Sequence, residues 1–581
     1  MIFSTKTKLA FPLLALITVL FIQQSQKVYA EDFPESFRLS EHDITTEVFT
    51  QGEYNTCWAI TATDAINLQL KKIQEKRNFS PWYLAYSAYT GANKFPENID
   101  PDDPFSLFYK GGSNYISSAV LTSGNGMAYD SDIKYGIHPN AIENFNIRSS
   151  VESGGKVKND YVIRNIFNIT PWISQKKKFE TDYIKKFLFD KNAVCVTCSL
   201  SDKYFNPETS ALCYNDDNYN CHTDANYHSV LLVGWDDNFS RTNFKKDCIP
   251  SKDGAWLAKN SWGEEWGNEG YMWISYEDTS MCEAVVYSDI SENIYDSDYQ
   301  YDEYGWTTSV SPSMVLNIRN IKDENGDDFY PSTTGYMANI FKADDDEYIY
   351  DISFYTIEEN CEYELFVYTD LEDPSVPTSG TVLSQQKGTM LYPGYHTVEL
   401  DEKPHIKKGD YFSIVAKIKN PSSVHTVPID ACILLSADYI ENQSGKYIGN
   451  INSIIFKSKK NESFVSCNGK DWADLMLSKN GIQKNIIINE RSYFPGLSDD
   501  ETPVQFYMGN VCMKALTVKY TPYYGDINDD GVVTAVDLAL AVNHMLGKKS
   551  IPNERFADLN NDSEVNISDL ILLKDHLNDI P

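Results

Sequence analysis

The chain has 581 residues, 83 of them acidic and 50 basic, for a formal net charge of −33. That length exceeds what one core organises, so about three domains are expected. An acidic surface of this strength repels nucleic acid and anionic membranes and attracts cations, which excludes a nucleic-acid partner.

In chain order, the first element is an export signal. Lys6 and Lys8 precede an apolar run over 9–22, and Val28-Tyr29-Ala30 offers a cleavage site. This reads as a signal peptide over 1–30, with a mature, secreted chain from about Glu31 and no membrane anchor; a retained membrane anchor is the alternative. No later apolar run approaches membrane length. Export permits disulfides, and 11 cysteines is an odd number, as one catalytic thiol beside paired cysteines gives. The pairing itself is not legible. Cys195 and Cys198 lie in an apolar run over 194–200, and read as core thiols of a buried strand. A bridge across two residues of a strand is geometrically poor, and no second ligand pair follows for zinc.

Cys57 begins a helical pattern, with Ala59, Ala62, Ile66, Leu70 and Ile73 at steps of three and four and Lys71, Lys72, Lys76 and Arg77 at the far end. A thiol in a first helical turn meets the positive end of the helix dipole, which favours the thiolate. His228 opens the apolar run Ser229-Val230-Leu231-Leu232-Val233, so it belongs at a strand end and a rim. A neutral imidazole there takes the thiol proton and later protonates a leaving amine. Asn260, before Ser261-Trp262-Gly263, offers an amide oxygen that orients the histidine without adding charge, and Trp262 covers that bond from water. Gln51 precedes Cys57 at a distance that lets its amide and the Cys57 N–H form an oxyanion hole. Each residue alone has a bland reading: core thiol, structural histidine, turn asparagine. The four together specify one chemistry.

These segments resemble the papain-like cysteine peptidases, in family order, from about Phe33 to Glu283. Trp266-Gly267-Asn268-Glu269-Gly270-Tyr271 extends the resemblance. It implies an α+β peptidase domain (31–284) with Cys57 as nucleophile, His228 as base and acid, Asn260 as orienter and Gln51 as oxyanion donor, acting without a catalytic cofactor. Gly111 and Gly112 look like the glycine segment whose backbone pairs with bound peptide, and Tyr227, Ser229, Asn226 and Trp262 are the other expected substrate contacts. Tyr54 stands where many members carry a disulfide cysteine, so that bridge should be absent, and Thr56 replaces a serine. An insertion with Asp236, Asp237, Asn238, Cys248 and Pro250 widens the His228–Asn260 gap and is expected as a surface loop. The short span from Glu31 to Cys57 leaves no room for a long inhibitory pro-domain, so control is expected from a proteinaceous inhibitor, redox state or location.

From 285 to 520 alternation replaces helical periodicity. Tyr363, Leu365 and Val367 alternate with Glu364 and Phe366, and Phe412, Ile414 and Ala416 with Ser413 and Val415. Pro393-Gly394, Lys408-Gly409-Asp410 and Asn468-Gly469 mark turns. An antiparallel β-sandwich or jelly roll is predicted. It is similar to the lectin-like domain that follows some bacterial and archaeal papain-like peptidase domains, which implies a glycan ligand or, alternatively, a packing module.

The last region, 521–581, carries a repeat. Oxygen ligands stand at Asp526, Asn528, Asp530 and Asp537, with Val532 offering its carbonyl, and again at Asp558, Asn560, Asp562 and Asp569, with Glu564 in the carbonyl position. This is calcium-loop spacing, although Ser563 replaces the turn glycine of the second loop. An apolar helix follows each loop. The pair resembles a dockerin, a small helical module with two EF-hand-like calcium loops. The resemblance implies two Ca²⁺ ions and a cohesin partner on a scaffold of cellulosome type. Ala535, Val536, Ile567 and Ser568 would select that cohesin. They are not symmetric between the repeats, which argues against two equivalent binding orientations. The resulting reading is a secreted, scaffold-borne endopeptidase acting on protein, within a polysaccharide-degrading assembly. The rivals are a catalytically silent recognition protein on the same fold, and an acyl-transferring enzyme using the same residues.

Overall fold

The structure, a computed structural model, describes residues 33–90, 103–124, 127–153, 160–169, 181–216, 227–302, 305–434, 458–476, 486–488, 504–520, 525–528, 533–549, 551, 556–560 and 564–579. The predicted signal peptide lies outside them. No helix among the described residues is long and apolar enough to cross a membrane.

The helix Cys57–Lys72 is the axis of the first domain. It is buried on nearly every side from Trp58 to Leu70, which exceeds the one-sided stripe its spacing predicts. Its polar residues have partners inside the fold. Asn67 accepts from the Phe79 N–H at 2.8 Å, and Gln69 donates to Asn192 at 3.0 Å. One side of the helix meets the helices Pro81–Thr90 and Asn114–Thr122, and the other meets the strands Tyr227–Asp236 and Cys282–Glu292. The strand Val194–Ser199 runs between those two strands and is buried at all its positions, with Cys195 and Cys198 at 0 % exposure. This agrees with the core-thiol reading.

That sheet does not end with the first domain. Its antiparallel order continues from Cys282–Glu292 to Tyr161–Asn168, then to Gly394–Glu399, Glu347–Thr356, Met513–Lys519 and Ser297–Tyr299. The strand Cys282–Glu292 therefore carries the first domain's sheet past residue 284. The six-stranded sheet holding Thr334–Lys342, Cys361–Thr369 and Tyr411–Lys419 shares a second core with the far half of this long sheet, through Met337, Phe354, Leu365, Phe412 and Met513. A four-stranded sheet over Thr308–Val310, Val427–Leu434, Ile486–Ile488 and Val504–Val511 completes the predicted sandwich. Leu365 and Val367 face the core as expected. Ser413 and Val415 are buried as well, because Tyr411–Lys419 is an inner strand covered on both faces.

Charged pairs bind the two halves. Arg164 donates to Asp351 at 2.6 Å and to the Tyr295 hydroxyl at 3.0 Å, and that hydroxyl donates to Asp351 at 2.7 Å. Lys514, 2 % exposed at its side chain, pairs with Asp302 at 3.3 Å and donates to the Thr122 carbonyl at 2.7 Å. The C-terminal module is a pair of packed helices, Ala535–Met545 and Ile567–Asp579, around Ile527, Val533, Ala541, Ile551, Ala557 and Leu573.

Candidate active site

Two stretches far apart in sequence meet at the start of the Cys57 helix. Thr50 forms a bridge with Trp262, the Gly263 N–H donates to the Phe49 carbonyl at 2.9 Å, and the Gln51 N–H donates to the Ser261 carbonyl at 2.8 Å. Asn260 and Gln51 are thereby fixed to each other. The third stretch arrives through the sheet, where His228 stands opposite Cys198 at the open end of the pairing between Tyr227–Asp236 and Val194–Ser199.

His228 is 5 % exposed and Asn260 3 %. Asn260 Oδ1 accepts from His228 Nε2 at 2.7 Å and from the Ser261 N–H at 2.8 Å. Two donors converge on that atom, which forces the amide orientation and leaves the other ring nitrogen to serve the thiol. The Trp262 ring lies 4.7 Å from the His228 ring and shields the pair. Cys57 carries an unbridged thiol. Burial opposes its ionisation. The His228 charge and hydrogen bond, with backbone bonds from Ser229 and Trp58, outweigh burial and hold the thiol below its ordinary range. Burial likewise opposes the imidazolium, and the Cys57 thiolate and the Asn260 bond raise His228 above its ordinary value. The pair is poised as thiolate and imidazolium.

Gln51 is 8 % exposed. Its Oε1 accepts from Ser261 Oγ at 2.7 Å, and its Nε2 donates to the Tyr54 carbonyl at 2.7 Å. One amide hydrogen remains for an oxyanion, beside a Cys57 N–H that the helix itself does not use. Tyr135 anchors the segment: its hydroxyl donates to the Gln51 carbonyl at 2.9 Å and contacts Thr56 Oγ1 at 2.5 Å. Nothing in the spacing of Tyr135 or Ser261 marks these supporting roles. Tyr54 packs on Trp82 at 4.8 Å and on Tyr109 at 5.1 Å, so an aromatic cluster occupies the position where a disulfide was not expected.

Gly111 and Gly112 form an unpaired stretch before the helix Asn114–Thr122, and Gly112 lies against the Trp58 indole. Tyr227 adjoins His228, while Asn226 lies outside the described residues. The insertion between His228 and Asn260 is not simply a surface loop. Phe244 and Cys248 are each 2 % exposed, with the Phe244 ring 5.6 Å from that of Phe239 and the Cys248 thiol donating to the Tyr204 carbonyl at 3.7 Å. Its Lys245 lines a cavity of about 430 Å³ with Phe205, Trp262 and Trp266.

In the C-terminal module Asp526, Asp537, Asp558 and Asp569 are 0–7 % exposed, each at one end of a predicted loop. Asp537 accepts from the Ile527, Asn528 and Thr534 N–H groups, and Asp569 from those of Asn560 and Asn566. Asp530, Val532 and Asp562 lie outside the described residues, and among the described ones no three ligating side chains gather. Buried carboxylates at both ends of each loop are hard oxygen donors of the type calcium takes, so the residues present fit that ion. Ala535, Val536, Ile567 and Ser568 are all exposed at the helix starts.

Comparison with known proteins accounts for this organisation. Residues 33–290 match the papain family cysteine protease profile, 299–489 the lectin-like domain profile and 524–578 the dockerin type I domain profile. Among curated proteins, cathepsin K of Mus musculus is 23 % identical over 252 residues, covering 43 % of this chain and 62 % of its own length. Cathepsin M of Mus musculus is 23 % identical over 266 residues, 45 % of this chain and 67 % of that protein. Among solved structures, the clostridial cysteine protease Cwp84 after propeptide cleavage is similar in fold over 84 % of this chain and 99 % of its own, at TM-score 0.59 and 21 % identity. The cysteine protease and lectin-like domains of Cwp84, a surface layer associated protein of Clostridium difficile, give TM-score 0.57 at 21 % identity over 84 % and 89 %. The chain therefore carries a papain-family cysteine protease domain, a lectin-like domain and, at its C-terminal end, a dockerin type I domain.

Proposed function

We propose that this chain is a secreted cysteine endopeptidase that hydrolyses peptide bonds and is held on a cohesin-bearing scaffold by its dockerin. The observation that carries the reading is the His228–Asn260 bond of 2.7 Å beside a Cys57 thiol lowered by His228. The thiolate of Cys57 attacks a peptide carbonyl carbon. The Gln51 amide and the Cys57 N–H stabilise the oxygen charge that develops. His228 gives its proton to the leaving amine, which departs on the Trp262 side, and leaves an acyl-thioester on Cys57. His228 then takes a proton from water, which attacks the thioester, releases the acid and restores the Cys57 thiolate beside the His228 imidazolium. Asn260 holds the ring in one orientation throughout.

Dockerin type I domains in general bind calcium. Here the two loops from Asp526 and Asp558 would hold one ion each, and Val536 and Ile567, 56 % and 61 % exposed, would meet the cohesin. A glycan ligand for the lectin-like domain is tested by retention on immobilised glycans. The peptidase reading is tested by incubating residues 31–581, with reductant and calcium, with casein and a biotinylated epoxide probe, beside Cys57→Ala. Cleavage and labelling that vanish in the variant support the reading. A folded protein that neither cleaves nor labels refutes it and favours the recognition protein.

A further inference from the structure

The helix Asn114–Thr122 packs on the strands Tyr161–Asn168 and Cys282–Glu292 of the long sheet and ends where that sheet passes into the second domain. Gly124 turns the chain there at φ +71, and a Cβ on it would stand 2.0 Å from Asp298 Oδ2. Beside this turn lies a cavity of about 400 Å³. Ile66 of the Cys57 helix, Phe79 and Leu121 wall it from the first domain, and Thr397, Lys514 and Leu516 from strands of the second. Small-ligand sites span about 300–1,000 Å³, favour domain interfaces, and set a few polar groups among apolar walls.

The wall groups define which ligand fits. Lys514 is the one cation among the described lining residues. Its ammonium pairs with Asp302 at 3.3 Å and donates to the Thr122 carbonyl at 2.7 Å and to Gln300 Oε1. Those three partners take its three hydrogens, so none remains for an anion. Asp296 and Asp298 also line the cavity, two residues apart, and alternate residues of an extended chain share a face. Asp298 Oδ2 accepts from Gln300 Nε2 at 2.7 Å, and Asp296 Oδ2 from the Lys519 N–H at 2.9 Å. A carboxylate has about four acceptor sites, so both keep capacity for a donor. With Asp302, three carboxylates stand against one ammonium. The remaining walls are the rings of Phe79, Tyr161, Tyr295 and Tyr395. The Tyr161 hydroxyl donates to Glu75 at 3.0 Å, that of Tyr295 to Asp351 at 2.7 Å, and that of Tyr395 bonds Ser353 and Thr397. Their ring faces attract a cation and shelter an apolar body.

We propose that this cavity binds a small organic cation, an amine on an aromatic or alkyl body, with its ammonium at Asp296 and Asp298 and its body among the four rings. The site is separate from Cys57, His228 and Asn260, so it stands whether or not the chain cleaves peptides. Both domains supply walls, so the ligand should also stabilise their junction.

The test titrates residues 31–581 with three probes of one shape: 2-phenylethylamine, the neutral 2-phenylethanol and the anionic phenylacetate. Calorimetry should show saturable binding of one equivalent of the amine, weaker binding of the alcohol and none of phenylacetate. The amine should raise the melting temperature. Asp298→Asn should weaken the amine about 10- to 100-fold, as loss of a hydrogen bond to a charged group does, and leave the alcohol nearly unchanged. Asp296→Asn, at the exposed edge, should weaken it about 1.5- to 5-fold. Thr397→Trp fills the cavity from a half-buried strand position and should abolish binding; Val162→Trp, on the neighbouring strand, does the same if that variant does not fold. Folding is checked by melting and circular dichroism. No saturable binding of the amine overturns the site. So does tighter binding of the alcohol or phenylacetate, an amine affinity unchanged by both aspartate substitutions, or binding that survives a folded tryptophan variant.

Discussion

Gly112→Ala tests the geometry behind Cys57. A methyl group built on Gly112 would sit 2.2, 2.4 and 2.5 Å from three indole atoms of Trp58, against an ordinary contact of 3.4–4 Å. The ring would have to retreat by about 1 Å, and it is 1 % exposed with little room behind it. Overpacking of this kind costs about 1–3 kcal/mol, which in a domain of this size lowers the melting temperature by roughly 2–12 °C. Trp58 directly follows Cys57, so the displacement reaches the thiol, and a shift of about 1 Å in a reacting group can cost on the order of 100-fold in rate. The assay pairs thermal denaturation with the second-order rate constant for epoxide labelling of Cys57. Gly409→Ala is the control. It has φ +88 and nothing within 4 Å of the added methyl, so it should lose only about 1–2 kcal/mol of backbone preference and keep its labelling rate. If Gly112→Ala melts with the wild type and labels within twofold of it, the close approach and its link to the nucleophile are wrong.

Asn260→Ala removes an acceptor for an imidazolium, an interaction worth about 1.5–3 kcal/mol, so kcat/KM should fall about 10- to 100-fold. The wild-type pH profile should be a bell whose acid limb follows Cys57, below the ordinary thiol range, and whose alkaline limb follows His228, above the ordinary imidazole range. The Asn260 bond is one cause of the raised His228 value, so Asn260→Ala should move the alkaline limb to lower pH; an unmoved limb would contradict the assigned role. His396 is held down to about 3 by burial, so it adds stability in its neutral form above the unfolded value and loses it as pH falls. At pH 5 that loss is about 2 kcal/mol, and His396→Gln should flatten the fall in melting temperature between about pH 6.5 and 5. Asp537→Ala strips the acceptor of three backbone N–H groups beside the first calcium loop and should abolish the calcium-dependent stabilisation of the C-terminal helices, measured by melting with and without chelator.

The residues proposed to be catalytic were legible because each sits at or beside the end of a strongly patterned element. Cys57 opens a helix, His228 opens an apolar strand, and Asn260 closes the strand Ala255–Lys259. End positions survive uncertainty about packing. What holds those ends together was not legible. Ser261 and Tyr135 fix Gln51 through bonds of 2.7 and 2.9 Å across long stretches of chain; Ser261 stands in the quoted Asn-Ser-Trp-Gly segment, but nothing in the sequence pairs it with Gln51, and no local pattern marks Tyr135.

The largest miss is at the junction, and its cause is general. Alternation along a strand tells which residues share a face, not which strand lies alongside. Pro393-Gly394 reads as a turn between runs of one sandwich, and it does stand between the strands Thr381–Met390 and Gly394–Glu399, but the strand that lies alongside it was not legible. In the structure Gly394 has φ +134 and begins the strand that pairs with Tyr161–Asn168, where a Cβ would stand 2.0 Å from the Ile166 carbonyl oxygen. The glycine is needed because the backbones of two domains meet there. Around it Arg164 reaches Asp351, and Lys514 reaches Asp302. Removing one partner of a buried pair typically costs about 3–5 kcal/mol, and an unpaired edge strand invites association with other chains. The strand Tyr161–Asn168 also lies beside Cys282–Glu292, which packs on the Cys57 helix. One hydrogen-bonded sheet thus links the junction to the layer that supports the Cys57 helix, and the lectin-like domain is part of the scaffold that positions the candidate site rather than a module tethered to it.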